Sequence, residues 1–229
     1  METVFHISTL TGMDLIALAL LLVLFLGSGW VIENPPKGRV SVSVIMMEYR
    51  RDWMRTFVTR QPRIFDATLI DSLRQGTAFF ASACMIAIGG GVALIGNSER
   101  VAGLAAELTL DAPGVLIEVK IILVIAFMAN ALLKFIWAHR LFGYCSILMA
   151  AVPNDPEDPL AFHRAEQAAE VNITAAKSFN RGLRSIYFAL GALGWMLGPI
   201  GLMVATGASA AVLLRREFTS QSRDVMLRR

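Results

Sequence analysis

Four apolar runs determine what this chain can fold into. They cover residues 15–32, 76–96, 115–137 and 185–213, and each is close to or above the length of about 20 helical residues that crosses a hydrocarbon core. Lipid offers no water to the backbone, so such runs must satisfy their own hydrogen bonds, as helices do. The sequence therefore predicts an all-α integral membrane bundle of about four transmembrane helices, forming one membrane domain over residues 1–229.

The composition agrees with this class. Hydrophobic residues make up 55% of the chain and charged residues 17%, whereas about a quarter of the residues in a soluble domain are charged. The basic residues lie in short segments between the apolar runs, so the net charge of +3 suits anionic headgroups better than nucleic acid. We expect the lipid bilayer to be a partner and nucleic acid not to be one.

The first run is predicted to be a retained span rather than a signal peptide. No lysine or arginine precedes it, and no small-residue cleavage site follows it.

The distribution of basic residues predicts an orientation. Segment 33–75 has eight lysines and arginines, segment 97–114 has one, segment 138–184 has five, and the first fourteen residues have none. Cytoplasmic loops retain positive charge. The pattern places the N-terminus outside and the first and third connections in the cytoplasm, as expected for a multi-pass protein of a bacterial inner membrane.

The C-terminal tail conflicts with four crossings, because five arginines follow the fourth run and would lie outside. Gly198-Pro199 in the middle of that run allows two interpretations. The run either kinks and crosses once, or turns back as a re-entrant hairpin that returns the tail to the cytoplasm. We favour the kinked crossing, since backbone opened within lipid needs other protein to satisfy it.

Two amphipathic helices are predicted in the cytoplasmic connections, over residues 42–60 and 160–180. We expect the first to lie on the membrane surface. Its arginines Arg50, Arg51 and Arg55 would be at headgroup level, with Trp53 as an interfacial anchor.

Small residues recur at intervals of four in two of the runs. Such spacing allows close approach of helix backbones in lipid, and packing within the bundle is favoured over dimerisation. The positions are Ala83, Ala87 and Gly91 in the second run and Gly194 and Gly198 in the fourth, where Pro199 follows directly.

The third run carries polar residues that a plain anchor would lack, namely Glu118, Lys120, Asn130 and Lys134. Lys134 is close enough to the cytoplasmic end to extend to the headgroups. Asn130 lies deepest and is expected to form a hydrogen bond with another helix. The alternative is a polar track for an ion or anionic solute through Glu118, Lys120 and Asn130.

No catalytic, metal-binding or nucleotide-binding motif is recognisable, and no cofactor is predicted. Cys84 and Cys145 lie in apolar surroundings without ligand spacing. A cytoplasmic cluster of His139, Arg140, Arg181 and Arg184 is the remaining candidate for chemistry at the interface, and Asn180 is a further candidate residue of the cytoplasmic interface.

Several stretches resemble the family known as domain of unknown function 599. They are RRDWM at 50–54, IDSLRQGTAFFAS at 70–82, the run from Lys120 to Phe142 and FNRGLRSIYFALGALGWMLGP at 179–199. The resemblance implies a multi-span helical protein without an agreed activity, and it makes Trp53, Lys120, Arg140, Asn180 and Arg184 the first residues to test.

Three functions are compatible with these patterns. The leading hypothesis is a scaffold or accessory subunit that associates with another integral membrane protein or with itself. The second is a small oligomeric transporter or channel that uses the polar track, and the third is a lipid-acting enzyme that uses the cytoplasmic cluster.

Overall fold

The structure is a computed structural model that describes residues 10–97 and 117–228. Within these residues the chain is helical and contains no β-strand. The helices are α1 (Gly12–Glu33), α2 (Val42–Thr59), α3 (Ile64–Ile95), α4 (Ile117–Ala150), α5 (Pro159–Leu193), a 3-10 turn (Gly194–Leu197), α6 (Gly198–Phe218) and α7 (Gln221–Leu227).

Four helical stretches are long and apolar enough to cross a membrane, which confirms the predicted all-α class. They are Gly12–Glu33, Ile64–Ile95, Ile117–Ala150 and Pro159–Leu227. The first nine residues, the predicted connection after residue 97 and the predicted start of the third run at 115 and 116 lie outside the described residues.

Local sequence signals explain the helix starts. Thr11 and Asp14 form a reciprocal capping box at the start of α1. Ser41 caps α2 and Asp158 caps α5, and in α5 Pro159 occupies the first helical turn.

The fourth apolar stretch reverses direction, so the favoured single kinked crossing is wrong. A Cβ added to Gly194 would lie 2.5 Å from the carbonyl oxygen of Gly201, and one added to Gly191 would lie 3.3 Å from the Cα of Thr206. Such contacts require α5 and α6 to run antiparallel. The turn uses Gly198 at φ 88°, a conformation that favours glycine, followed by Pro199 in the first turn of α6.

The reversal brings the tail back to the end of the bundle where α1 ends. Ser43 at the start of α2 donates to both carboxylate oxygens of Glu217 at 2.9 Å, and Arg223 donates to the carbonyl oxygen of Val40. We call this end, with Glu33, the 34–41 connection and α2, the basal end. The opposite end, where Trp195 Nε1 donates to Asp14 at 2.8 Å, is the apical end.

Long helices form the centre of the molecule. α4 packs antiparallel to α5 along most of its length and to α3 on another side, while α1 packs mainly on α6. A first core of aromatic and aliphatic side chains lies among the helices that are long enough to cross a membrane. It includes Leu21, Phe127, Phe188 and Leu202. A second core lies towards the basal end, where α2, α3, α4 and α5 meet around Met54, Phe57, Phe142 and Met149.

Two expectations about the amphipathic segments are corrected. The segment 160–180 is not a separate helix, because α5 runs without a break from Pro159 to Leu193. The helix predicted over 42–60 is present as α2 (Val42–Thr59), but its apolar side is covered by protein, with Met54, Phe57 and Val58 buried in the second core. The apolar face of α2 is therefore not free to lie on a membrane surface.

The small-residue positions divide into two groups. Gly91 approaches Ile125 of α4, and Gly194 approaches α6, so both allow close packing. Ala83 and Ala87 are exposed, and the predicted packing within the chain is not found there. Gly198 makes the turn and does not pack as a partner of Gly194, since a Cβ there would meet nothing within 4 Å.

Candidate functional site

A charged network joins α1 to α5 at the basal end. Arg181 donates to both oxygens of Glu33, from Nε at 2.9 Å and from Nη2 at 2.5 Å. Arg184 donates from Nη2 to Glu33 Oε1 at 3.0 Å. One carboxylate thus holds two guanidinium groups one turn apart on α5, a geometry in which the planar groups are oriented by bidentate and charge-assisted bonds.

Arg184 is the more deeply placed of the two arginines. Its side chain is 10% exposed, against 46% for Arg181. The guanidinium lies directly against Gly29 of α1, where an added Cβ would be 2.8 Å from Cζ. A side chain at position 29 would therefore displace the guanidinium from its present place between the two helices.

Asn130 and Lys134 of α4 face the same space from the other side. A groove of about 370 Å³ separates α1 from α4, and α5 forms its floor. We call it the α1/α4 groove. Its lining residues are Phe25, Leu26, Gly29, Trp30, Glu33, Asn34, Asn130, Lys134, Arg181 and Arg184.

Asn130 is held by a hydrogen bond between helices, as the sequence predicts. Its Nδ2 donates to Ser185 Oγ at 2.7 Å, and Ser185 Oγ donates in turn to the carbonyl oxygen of Arg181 at 3.1 Å. The amide is therefore fixed at the inner edge of the groove.

The groove carries an excess of positive charge. Lys134, Arg181 and Arg184 are cations, and Glu33 is the single carboxylate among its lining residues. Within the described ranges, no hydrogen bond or ion pair engages the Lys134 ammonium, although its backbone carbonyl accepts from Ser178. An anion could occupy this space and meet Lys134 and the free edges of the two arginines.

The structure does not join the residues of the predicted polar track. Lys120 is near the apical end, where Asp14 is the carboxylate that interacts with it electrostatically. Between that end and Asn130, the rings of Phe25, Phe127 and Phe188 pack against one another with centroids 5.1 to 6.5 Å apart. These rings close the apical side of the α1/α4 groove.

Glu118 also lies away from the groove, in the first turn of α4. Its Oε2 atom is buried and has no hydrogen-bond partner in the part of the chain that the structure describes.

The predicted cytoplasmic cluster is only partly assembled. Arg181 and Arg184 are adjacent, but His139 faces α3, with Nδ1 3.1 Å from Thr77 Oγ1. Arg140 donates to Tyr144 one turn further along α4 at 2.5 Å. Neither residue lines the groove.

Asn180 belongs to a neighbouring contact. Its Nδ2 lies 3.3 Å from Ser43 Oγ, the same hydroxyl that donates to Glu217. It therefore ties the start of α2 to α5 and the end of α6, and it lies outside the α1/α4 groove.

Three polar residues of α2 bind to neighbouring helices. Arg50 donates to Asn172 of α5, and burial lowers the pKa of Arg50 from its ordinary value. Arg51 donates to Glu170 at 2.8 Å, a bond that raises the pKa of Arg51. Trp53 Nε1 donates to Asp66 of α3 at 2.6 Å, so its indole N–H is held by protein, and its place as an interfacial anchor stays a prediction.

Arg55 keeps an exposed position and pairs with Asp52 at 3.4 Å. It makes none of the contacts between helices that hold Arg50 and Arg51.

Sequence reasoning missed Glu33, the residue that organises the groove. It follows the first apolar run directly, and no local pattern distinguishes it from any other polar residue at the end of a span. Ser185 begins the fourth apolar run, and no local pattern marks it as a hydrogen-bond partner either. Among the described residues, no group of three or more histidine, cysteine, aspartate or glutamate side chains could hold a metal ion.

Together these features define a helical integral membrane protein with a positively charged groove at one end of its spans. The chain belongs to the family described as protein of unknown function, DUF599, whose model matches residues 16–222. Searches among curated proteins and among solved structures found no match.

Proposed function

We propose that this protein binds the headgroup of an anionic membrane lipid in the α1/α4 groove. The observation that carries the proposal is the set of three cations against one carboxylate in a groove between two membrane-spanning helices. A lipid phosphate would reach Lys134 and the two arginines from the bilayer.

The apolar walls of the groove, like its positive charge, suit a lipid. Phe25 and Leu26 are apolar, and Trp30 is 67% exposed at the basal end of α1. Tryptophan favours the boundary between headgroups and acyl chains. The arginines are held by Glu33 before any ligand arrives, and such preorganisation lowers the entropy lost on binding.

The experiment uses Trp30 as the reporter. The full chain, carrying Trp137→Phe to remove a second exposed tryptophan, is reconstituted in phosphatidylcholine with an increasing fraction of brominated phosphatidylglycerol. Quenching by brominated phosphatidylcholine in the reverse mixture completes the measurement of the binding constant of phosphatidylglycerol relative to phosphatidylcholine. We expect this relative constant to be above one for the wild-type groove. A constant of one would refute the proposal.

Lys134→Gln tests the charge, because the Lys134 ammonium has no described partner whose loss would disturb the fold. The expected fall in relative binding is about fivefold, from roughly 1 kcal/mol for one cation near an anionic surface. Lys177→Gln is the matched control, since Lys177 is an exposed lysine on the same helix as the arginines and does not line the groove. Equal loss in both variants would indicate a general surface effect.

We further propose that the basal end faces the cytoplasm of a bacterial inner membrane, with the N-terminus outside. This is supported by the return of the tail to the basal end, which brings the four tail arginines that the structure describes to the same end as the eight and five basic residues of the other two segments. Positive charge then lies at one end of the bundle, as the positive-inside rule expects.

Thiol labelling in intact cells tests this orientation, because Cys84 and Cys145 are buried. A cysteine at Lys37 or Ser222 should react only after the membrane is made permeable, whereas one at Leu10 should react with an impermeant reagent from outside. The reverse pattern would overturn the orientation, and opposite sides for Lys37 and Ser222 would contradict the hairpin.

A second candidate function is association with another membrane protein, or with a second copy, through α3. Only 6% of the most apolar window of α3 is buried, against 22 to 28% in the other three stretches. Its exposed side carries Ala83, Ala87, Gly89 and Gly90, and small residues allow close helix contact in lipid.

Gly90→Phe should break such an association, while Val23→Phe on the exposed side of α1 should not. The measurement is the mass of the complex after mild solubilisation. A lone species of 25.0 kDa in the wild type would exclude a stable complex.

A further inference from the structure

A second cavity lies between α3 and α4, near the α4–α5 turn and away from the α1/α4 groove. Its volume is about 360 Å³, within the range of small-molecule sites. We call it the α3/α4 cavity. Its lining residues are Phe57, Arg63, Ala67, Ile70, Asp71, Arg74, Ser146, Met149, Ala150 and Asn154.

The walls of the α3/α4 cavity are mostly apolar. Phe57, Ile70 and Met149 belong to the second core and present buried side chains at its base. Ala67 and Ala150 flank it on α3 and α4 and leave it open at the surface. A ligand here would bury an apolar body against these five residues.

Arg74 gives the cavity an available cation. Its Nε atom is buried and has no acceptor among the residues that the structure describes. A buried N–H without an acceptor is costly, and a guanidinium N–H is a strong donor. A ligand oxygen that reached it would remove this penalty.

The other charged groups of the cavity have described partners. Arg63 donates from its Nη atoms to the carbonyl oxygens of Val152, Pro153 and Val58 at 2.8 to 3.1 Å, although its Nε, like that of Arg74, is buried without an acceptor among the described residues. Asp71 is exposed and accepts from Gln75 at 2.6 Å. Within the described part of the chain, Arg74 is therefore the guanidinium group of the cavity that has no hydrogen bond or ion pair, and it lies beside an apolar surface.

We infer that the α3/α4 cavity binds a small amphiphilic carboxylate, such as a short- or medium-chain fatty acid. A carboxylate matches the planar fork of a guanidinium with two parallel hydrogen bonds, and the alkyl body would cover Phe57, Ile70 and Met149. Asn154 lines the same cavity, and its amide can donate to a second oxygen.

The test is equilibrium dialysis of radiolabelled octanoate against the full chain in neutral maltoside micelles, with empty micelles subtracted. Wild-type protein should bind one octanoate per chain, and 1-octanol should compete at least about tenfold more weakly, because it has no charge. Competition by octanol as strong as that by unlabelled octanoate would show an apolar cleft without acid recognition and would overturn the inference.

Two variants separate charge from shape. Arg74→Gln should weaken octanoate binding about tenfold, and Ala150→Leu should block binding by filling the cavity while leaving every charge in place. Arg55→Gln, a change at an exposed arginine of α2 outside the cavity, is the control and should bind as the wild type does. Unchanged binding in Arg74→Gln, or no binding to the wild type, would refute the site.

Membrane-derived and soluble acids are distinguished by chain length. If affinity rises steadily from hexanoate to tetradecanoate, the source is a lipid acyl chain that extends from the cavity into the bilayer. If affinity peaks near octanoate, the cavity encloses a soluble acid. Either result supports the carboxylate site, and both are independent of lipid binding in the α1/α4 groove.

Discussion

The reversal at the α5–α6 turn depends on glycine at position 194, and Gly194→Ala is the sharpest test of the fold. An ideal Cβ at Gly194 would lie 2.5 Å from the carbonyl oxygen of Gly201 and 2.6 Å from the Cβ of Ala205. Both neighbours are anchored in α6, so the helices must separate. Overpacking of this kind costs about 1–3 kcal/mol.

Gly207→Ala provides the matched control. Gly207 is also helical, but an added Cβ there would meet nothing within 4 Å. Gly207 lies inside α6, where replacing glycine by alanine gains about 1 kcal/mol. Gly194 begins the 3-10 turn, so its gain is no larger, and the difference between the two variants is at least the overpacking cost of Gly194→Ala.

Thermal unfolding of both purified variants, followed by helical circular dichroism in the same detergent, measures this difference. For a chain of this size, 1–3 kcal/mol corresponds to a midpoint lower by about 2–12 °C for Gly194→Ala than for Gly207→Ala. Equal midpoints would refute the close antiparallel packing of α5 on α6, and with it the hairpin.

Three further substitutions test the charged contacts. Glu33→Gln should lower the midpoint of thermal unfolding, because the largely buried Arg184 loses its partner. Replacing phosphatidylcholine by phosphatidylglycerol in the nanodisc should then raise the midpoint more in this variant than in the wild type. If the midpoint of the variant stays below that of the wild type by the same amount in both lipids, anion binding in the groove is contradicted. Asp66→Ala should destabilise the protein by about 2 kcal/mol in thermal unfolding, because it leaves Trp53 Nε1 without its acceptor and breaks the ion pair with Arg60. This cost is smaller than that of breaking a fully buried ion pair, since Arg60 is partly exposed. Asp52→Ala, at an exposed pair, should change stability by under about 0.5 kcal/mol.

Much of the fold could be predicted because hydrophobic length and periodicity are local properties. The class, the four apolar stretches and the amphipathic α2 followed from them. The direction of the chain after Gly198-Pro199 could not, since a kink and a turn share the same local signal. Contacts distant in sequence decide between them, such as Gly194 on Gly201 and Ser43 on Glu217.

The candidate site was predictable only in part for the same reason. The sequence identifies four candidate residues, because polar residues in or beside an apolar run are unusual. They are Asn130, Lys134, Arg181 and Arg184. Their assembly into one groove depends on Glu33, which meets Arg181 from 148 positions away in the chain. No spacing rule within either segment could have paired them.

Two of the four polar residues of the third apolar run, Lys120 and Asn130, have partners in the structure, and Lys134 is distinguished by the groove that it lines. Lys120 lies at the apical end near Asp14, and Asn130 is satisfied by Ser185. Lys134 has no such described partner, yet it lines a groove beside two arginines that are already fixed by Glu33. Three cations that line one groove repel one another if nothing compensates them, and one carboxylate compensates only one charge. The remaining positive charge is best compensated by an anion from the bilayer, which is why Lys134 rather than Lys120 is the residue whose replacement should change lipid binding.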